Sequence, residues 1–362
     1  MAYTDIDDPT DYFNTVLYTG NNNTNAIAGV GHQPDMIWVK KRNAEADHII
    51  FDSVRGVTKG IFPSRNSAEE TEGGNRGLRS FNTDGFTLGV EVNDMAGSCN
   101  DNNDTFVSWN WKAGTAFTND ASSTSVGTID SAGSVSTASG FSIVSYTGTG
   151  TAGTIAHGLG KLPKMIIAKN LSDAENWVVY FLDTTIANNN VQNYLELNTT
   201  IAFTADSGAR WGAYGNYSTT TFGVGTDDGT NKSGSDYVAY VFSDIQAYSK
   251  IGKYIGNGNA DGTFIYTGFK PAWVMIKATN QTGEGWFIFD NVRDVDNFVD
   301  KHLIANTNVV EGSGSHAMDF VSNGIKIRNA GDGTNTSAKN YIYLAFAENP
   351  FITSKGVPTT AR

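Results

Sequence analysis

Asp52 and Arg55 stand three residues apart and recur as Asp290 and Arg293, the only charged pair that the chain repeats. At that spacing the pair can grip a ligand carboxylate through the planar guanidinium fork. It can also close a turn, the aspartate accepting backbone N–H bonds while the arginine folds across the strand end. A third copy keeps only Phe181-Leu182-Asp183 and has no arginine, which favours the turn. The five histidines, His32, His48, His157, His302 and His316, show no metal-ligand spacing, and Cys99 has no ligand neighbours; its thiol reads as a small buried group. Calcium is the one cofactor the sequence leaves open. Oxygen ligands could come from the loops Asp101–Asp104, Asp227–Asn231 and Asn257–Gly262, although none has the EF-hand arrangement and plain turns explain them. Glycoside hydrolysis needs two carboxylates across a cleft. With 37 acidic residues spacing selects no pair, and Glu175, Glu196 and Glu284 stand out only because they fall where the copies disagree. The glycine-spaced run Arg210 to Tyr217 offers Arg210, Trp211, Tyr214 and Tyr217 as an exposed surface for a sugar face or a protein partner. A strand and turn inside a sandwich explains that run equally well. No residue is assigned a catalytic, cofactor or metal role.

The elements carrying these residues come in three copies. Glycine, two residues, proline, a short apolar run and a lysine six positions after the proline appear at Gly31–Lys40, Gly160–Lys169 and Gly268–Lys277. Pro34, Pro163 and Pro271 are three of only seven prolines, and such a coincidence marks a tandem repeat. The anchors are Tyr18, Pro34, Lys40 and Trp109 in the first copy, Tyr146, Pro163, Lys169 and Tyr237 in the second, and Tyr254, Pro271, Lys277 and Tyr343 in the third, together with the two Asp/Arg pairs. Tyrosine to proline is 16 residues (18 to 34), then 17 (146 to 163) and 17 (254 to 271); proline to the closing aromatic is 72 (34 to 106), 74 (163 to 237) and 72 (271 to 343). Lys40, Lys169 and Lys277 are expected to carry their charge out of the strand end, to solvent or a local carboxylate.

Each copy reads as short strands and tight turns. The apolar run Met36 to Val39 suits a strand covered on both faces; in Phe106 to Trp111, Val107, Trp109 and Trp111 share the face expected to form the core. Asn82-Thr83-Asp84-Gly85 predicts a hairpin turn with positive φ at glycine. The fold class expected is all-β: three tandem antiparallel β-sandwich, jelly-roll-like repeats of about 100 residues in series. The divisions are 1–113, a Ser/Thr/Gly-rich linker 114–140 with at most one loose strand near Val126 to Ile129, then 141–249, 250–350 and a tail 351–362. Val295 to Ile304 is the best place for a short helix.

A net charge of −12 and a pI near 4.8 disfavour duplex nucleic acid and anionic bilayers as partners. The acidic segment Met1–Pro9 has no apolar centre and reads as no secretory signal, and no run suits a membrane helix.

Tyr18-Thr19-Gly20, Pro34 with Trp38 to Lys40, Phe51 to Gly56, Asp84 to Gly89 and Phe106 to Ala113 together resemble a repeat of structural and fibre-like proteins of marine tailed bacteriophages. The first copy matches most fully and the others keep the skeleton. The resemblance implies a non-enzymatic virion protein made in a host cytoplasm, a tail fibre or receptor-facing tail appendage subunit mediating host attachment. Its implied partners are other virion proteins and a host cell-surface glycan or protein, with a homo-oligomer, a trimer, as the assembly. A capsid decoration or head-fibre protein, and a tailspike-like polysaccharide hydrolase, are the alternatives.

Overall fold

The computed structural model describes residues 3–74, 76–90, 99–182, 193–213, 216–331 and 333–359. Repeat one supplies β1 (Phe13–Thr19), β2 (Asn25–Ala28), β3 (Met36–Lys41), β4 (Ile49–Asp52), β5 (Lys59–Gly60), β6 (Glu70–Thr71), β7 (Leu78–Asn82), β8 (Gly85–Leu88) and β9 (Thr105–Trp111). Next come β10 (Thr115–Asn119), helix α1 (Ala121–Thr124) and β11 (Ser131–Ser136). Repeat two supplies β12 (Phe141–Thr147), β13 (Gly153–Ala156), β14 (Met165–Asn170), β15 (Val178–Phe181), β16 (Asn193–Glu196), β17 (Thr204–Ala205), β18 (Thr221–Val224), α2 (Asp228–Asn231) and β19 (Asp236–Phe242). Repeat three supplies β20 (Ser249–Ile255), β21 (Phe264–Tyr266), β22 (Phe269–Ala278), β23 (Trp286–Asp290), β24 (Leu303–Ile304), β25 (Met318–Val321), β26 (Gly324–Ile327) and β27 (Asn340–Pro350). The protein is nearly all-β, built from multiple antiparallel sheets.

The same strand order appears three times. The larger sheets run β1-β9-β3-β4, β12-β19-β14-β15 and β20-β27-β22-β23, the second and third extended by β16-β17 and β24. Smaller sheets accompany them: β2-β8-β7, β13-β18 and β21-β26-β25. Alternation along β3 sends Ile37 and Val39 towards the small sheet of its own repeat, where Phe86 and Leu88 meet them. Met36 and Trp38 point the other way, and Trp109 and Trp111 of β9 follow them. Strand β3 is thus covered on both faces, as its unbroken apolar run predicts.

What covers the second face is the other two repeats. Met165, Ile167 and Tyr240 of repeat two and Trp273, Met275 and Leu344 of repeat three join Trp38 and Trp109 in one central core. Six of the seven tryptophans lie in it, so the largest apolar side chains hold repeat to repeat. The three larger sheets therefore share a core in place of standing in series.

Three local expectations change. The stretch 114–140 is no bare linker: β10 and β11 add to the edge of β12, and Ile129 makes one isolated bridge to Ile155. Its small residues have a steric cause, because a Cβ on Gly133 would lie 2.0 Å from the Ile143 carbonyl oxygen. Residues 295–302 hold no helix; Val299 pairs with Met318 there. Among the described residues the short α-helices sit elsewhere, behind the N-caps Asp120 and Asp227, whose carboxylates accept backbone N–H bonds. The hairpin at Asn82–Gly85 forms as expected, with φ of +137° at Gly85.

Both ends of the chain meet repeat three or its neighbourhood. Tyr3 donates to the Gly268 carbonyl (2.9 Å), Ile6 enters the central core, and the Ser354 N–H donates to Asp7 (2.6 Å).

Candidate functional site: the junction of the three repeats

Strand register fixes which residues are equivalent. Lys40, Lys169 and Lys277 face Val107, Val238 and Ile342. The closing aromatics are therefore Phe106, Tyr237 and Tyr341, each stacked on the tyrosine of the first strand: Tyr18–Phe106 at 5.1 Å, Tyr146–Tyr237 at 5.0 Å and Tyr254–Tyr341 at 4.9 Å between centroids. The third anchor is Tyr341, with Tyr343 two positions further on. By the same register Phe181, opposite Met165, stands where Asp52 faces Met36 and Asp290 faces Trp273. Asp183, taken from sequence as the third aspartate, lies outside the described residues.

With equivalence fixed, the contacts between repeats form a closed cycle. His48 and Trp177 immediately precede β4 and β15, and Trp286, the equivalent residue, opens β23. The Trp177 indole N–H donates to the Phe62 carbonyl (2.9 Å), and that of Trp286 to the Glu196 carbonyl (2.9 Å). In repeat one the Trp38 indole donates to His48 Nδ1 (2.9 Å), which leaves Nε2 to donate to the Ile304 carbonyl (3.1 Å). Beyond the lysines, the carbonyls of Arg42, Leu171 and Thr279 accept from the N–H groups of Glu311 (3.0 Å), Glu69 (2.9 Å) and Phe203 (2.7 Å). In both sets repeat one reaches repeat three, two reaches one, and three reaches two. A head-to-tail contact that returns to its start after three steps is a ring, here within one chain.

A third set of contacts is buried and charged. Asp52 accepts from the N–H groups of Val54 (3.1 Å) and Arg55 (2.9 Å), from Arg55 Nε (2.5 Å), and from the Tyr240 hydroxyl of repeat two (2.7 Å). Asp290 repeats this with Val292 (3.1 Å), the Arg293 N–H (2.8 Å), Arg293 Nε (2.6 Å) and the Trp109 indole of repeat one (3.0 Å). The turn reading holds, and the aspartate adds to it an acceptor for the neighbouring repeat. Burial opposes the charge on Arg55, but the Asp52 and Glu69 carboxylates outweigh it and raise its pKa. The Tyr240 hydroxyl is pushed far up by burial and by the Asp52 charge, so it stays a donor. At the third junction the equivalent residues are Leu344 and Phe181, donor and acceptor replaced together by apolar side chains of the same core. A buried polar group left without its partner is expensive, whereas the loss of both is tolerated.

The three motif lysines correct the expectation of a solvent-facing charge. Each is fully buried. Lys40 Nζ donates to the carbonyls of Lys41 (2.9 Å) and Asn308 (3.3 Å), Lys169 Nζ to that of Asn170 (2.6 Å), and Lys277 Nζ to that of Glu284 (2.7 Å). Burial lowers the pKa of each to about 8. Between that value and the ordinary 10.5 the unfolded lysines hold protons that the folded ones release, so stability rises with pH across this window. Tyr146, Tyr248 and Tyr254 act oppositely: burial raises their pKa above 10.0, and stability falls once unfolded tyrosines ionise. Thermal melts are expected to peak between these limits. Lys277→Met removes a buried charge but also the donor to the Glu284 carbonyl, so it should change stability near neutral pH by only about 1 kcal/mol or less and should flatten the rise above pH 8.

Each repeat also has a buried asparagine that sequence reading missed. Asn100, Asn231 and Asn335 are fully buried. Asn335 Nδ2 donates to Asn257 Oδ1 (3.0 Å) and the Asn259 (2.9 Å) and Asn329 (2.7 Å) carbonyls, while its Oδ1 accepts from the Asn257 N–H (3.0 Å). Asn231 Oδ1 takes the Thr149 N–H (2.8 Å), and Asn100 Oδ1 that of Asn21 (3.1 Å). The residue before each, Cys99, Thr230 or Thr334, accepts the hydroxyl of Tyr18 (2.7 Å), Tyr146 (2.7 Å) or Tyr254 (2.6 Å). Gly20, Gly148 and Gly256 let the backbones meet: an added Cβ would sit 2.1, 2.2 and 2.3 Å from the carbonyl oxygens of Asp101, Lys232 and Thr336. The signal available was the spacing from tyrosine to asparagine, 82 residues (18 to 100), 85 (146 to 231) and 81 (254 to 335).

Other sequence candidates find structural uses. Trp211 is fully buried in the core of repeat two, and Tyr217 stacks on Tyr180 at 4.1 Å and donates to the Trp211 carbonyl (2.9 Å). Arg210 lies over the Tyr194 ring at 3.9 Å and pairs with Asp227 at 3.6 Å. These residues form no exposed aromatic surface; Tyr214 lies outside the described residues. The fold does pair His302 with His316, ring centroids 4.7 Å apart, although nothing in their spacing announces it. Asp104 pairs with Lys41 (2.7 Å) and Asp261 with Lys326 (2.7 Å). Among the described residues no group of three His, Cys, Asp or Glu could hold a metal ion, and no helix is long and apolar enough to cross a membrane. An open polar cleft of about 950 Å³ between repeats one and two holds Asp120, Asp130 and Asp236. Each is engaged: Asp120 caps α1, Asp130 accepts the Ala121 N–H (2.8 Å), and Asp236 accepts the Thr147 hydroxyl (2.8 Å).

Fold and junction together define an internally repeated all-β protein whose repeats are built against one another through a common core. A family model, the domain of unknown function DUF7483, matches residues 8–350, and the chain belongs to that family. One match spans all three repeats, as befits a ring that is a single unit. No curated protein and no solved structure matches the chain.

Proposed function

We propose that the chain is a non-enzymatic structural protein of a phage virion, a tail fibre or receptor-facing tail appendage subunit that mediates host attachment. In this reading its three repeats are jelly-roll-like sandwich modules joined as a ring. The observation that carries it is the use of the buried polar groups: Asp52, Asp290, His48 and the indoles of Trp177 and Trp286 are all engaged in holding repeat to repeat. A ring with such a rigid interior presents three sets of outer loops, and several weak contacts made together reinforce one another through effective concentration. The resemblance of the repeat to marine phage fibre-like proteins supports a place in the virion. Immunogold labelling or a virion map is expected to locate the chain on the tail. A uniform coat over the head would overturn the fibre reading, and release of reducing ends from host polysaccharide, abolished by one carboxylate substitution, would overturn the non-enzymatic one.

A further inference from the structure

We propose that an open groove on repeat three, beside Phe298, binds an uncharged hexose ring within a glycan. This rests on the receptor-facing reading and gives it a site. Repeat three differs from repeat one here by an insertion. The Phe62 and Ile304 carbonyls are equivalent acceptors, which makes Ile61 and Leu303 equivalent; ten residues separate Arg293 from Leu303, against six between Arg55 and Ile61. The longer segment holds Phe298, a residue 59% exposed.

The backbone under this ring is pinned. Asn297 donates to the Phe320 carbonyl (3.0 Å) and accepts the Phe320 N–H (3.0 Å), and Val299 exchanges both backbone bonds with Met318 (2.7 and 2.9 Å). Asp294 accepts the N–H groups of Asp300 (2.8 Å) and Lys301 (2.6 Å). An exposed phenyl ring on a fixed backbone is a pre-organised flat apolar platform, and the C–H face of a pyranose is its natural complement.

The remaining walls supply hydroxyl partners. The groove, about 590 Å³, is lined by Asp300, Gly314, Ala317, Asp319 and Arg328 besides Phe298, a volume within the roughly 300–1,000 Å³ of small-molecule sites. Arg328 Nε is bound to Asp319 (2.6 Å), and its side chain, 44% exposed, lines the groove. One Asp300 oxygen accepts the Gly314 N–H (3.0 Å), leaving the other for a sugar hydroxyl. A planar fork beside a carboxylate suits vicinal hydroxyls, which both donate and accept. Asp319 already offsets Arg328, Asp300 adds a negative charge, and the chain carries −12; uronates, sialic acids and phosphates are therefore disfavoured. The opening admits the neighbouring residues of a longer polysaccharide.

The test uses the full chain and saturation-transfer NMR with the methyl glycosides of glucose, galactose, mannose and N-acetylglucosamine, and with galacturonate as the charged probe. At least one neutral glycoside should bind, Phe298→Ala should weaken it by about tenfold or more, and Phe298→Tyr should retain it. Phe264→Ala, at another exposed phenylalanine, should leave binding unchanged. No binding of any neutral glycoside, binding that survives Phe298→Ala, or a preference for galacturonate overturns the proposal. A tail location without glycoside binding removes the groove alone; glycoside binding by a protein found on the head removes the tail reading alone.

Discussion

Asp52→Ala is expected to destabilise the protein by about 3–5 kcal/mol, the range for a buried ion pair broken on one side. The substitution removes four accepted hydrogen bonds and leaves Arg55 Nε, with a side chain 3% exposed, without its carboxylate. Glu69 at 3.1 Å still partners Arg55 Nη1, so the loss is severe without being total. Tyr240→Phe deletes only the bond between repeats and should cost about 1 kcal/mol. Asp290→Ala should behave as Asp52→Ala does. Phe181→Asp tests the third junction from the other side: a carboxylate introduced there meets the apolar Leu344 side chain where Asp52 meets a hydroxyl and Asp290 an indole N–H, so it should destabilise even though it restores the residue of the other two repeats. Urea and thermal unfolding followed by tryptophan fluorescence and circular dichroism measure all four. Because the core is common, every variant should unfold in one transition; an Asp52→Ala protein that lost repeat one while the other two stayed folded would refute the ring as the unit of stability.

Asn335→Ala should cost about 3 kcal/mol, since it removes a buried side chain that makes four part-buried hydrogen bonds at about 1 kcal/mol each. The Asn257 N–H and the Asn259 and Asn329 carbonyls lose theirs together. Asn335→Asp separates shape from donor capacity. It preserves volume but turns acceptor oxygens towards carbonyls, and at neutral pH it should be no milder than alanine. Protonation restores one donor, so the folded-state pKa of the new carboxyl is raised and stability returns as pH falls through it. Gly256→Ala attacks the same contact sterically, with a Cβ 2.3 Å from the Thr336 carbonyl oxygen. Denaturation curves for the three variants at neutral and mildly acidic pH give the ordering, and an Asn335→Asp protein as stable as the parent would remove the asparagine from its role.

Much of the scaffold was legible because strand chemistry leaves a period of two. Met36 to Val39 announced a strand buried on both sides, and the Val107-Trp109-Trp111 face announced a core. Neither told which sheet lay opposite, because an apolar side chain records burial and not the identity of its neighbour. That is why three repeats in series could be read from a chain whose repeats share a core. The same period hid the offset in repeat three: Tyr341 and Tyr343 both alternate with aliphatic residues, and a slip of two keeps every side chain on its face. Only the backbone pairing of Lys277 with Ile342 resolves it. Lys40 misled because lysine is seldom fully buried, and its carbonyl partners carry no mark in sequence. Asn100, Asn231 and Asn335 were lost among many exposed asparagines, while α1 and α2, four residues each, are too short to show a helical period.

The bond between Asp7 and Ser354 bears on what sets the order of the repeats. Where the two ends of a cycle of equivalent modules lie together, the sequence could start at any of the three and thread the same architecture. Circular permutants opened at the exposed Gly114, with the present ends joined by a short flexible peptide, should fold to the same ring. The architecture then does not depend on the order of the three modules along the chain, and each module is free to diversify its outward loops separately, which identical chains in a symmetric trimer could not do.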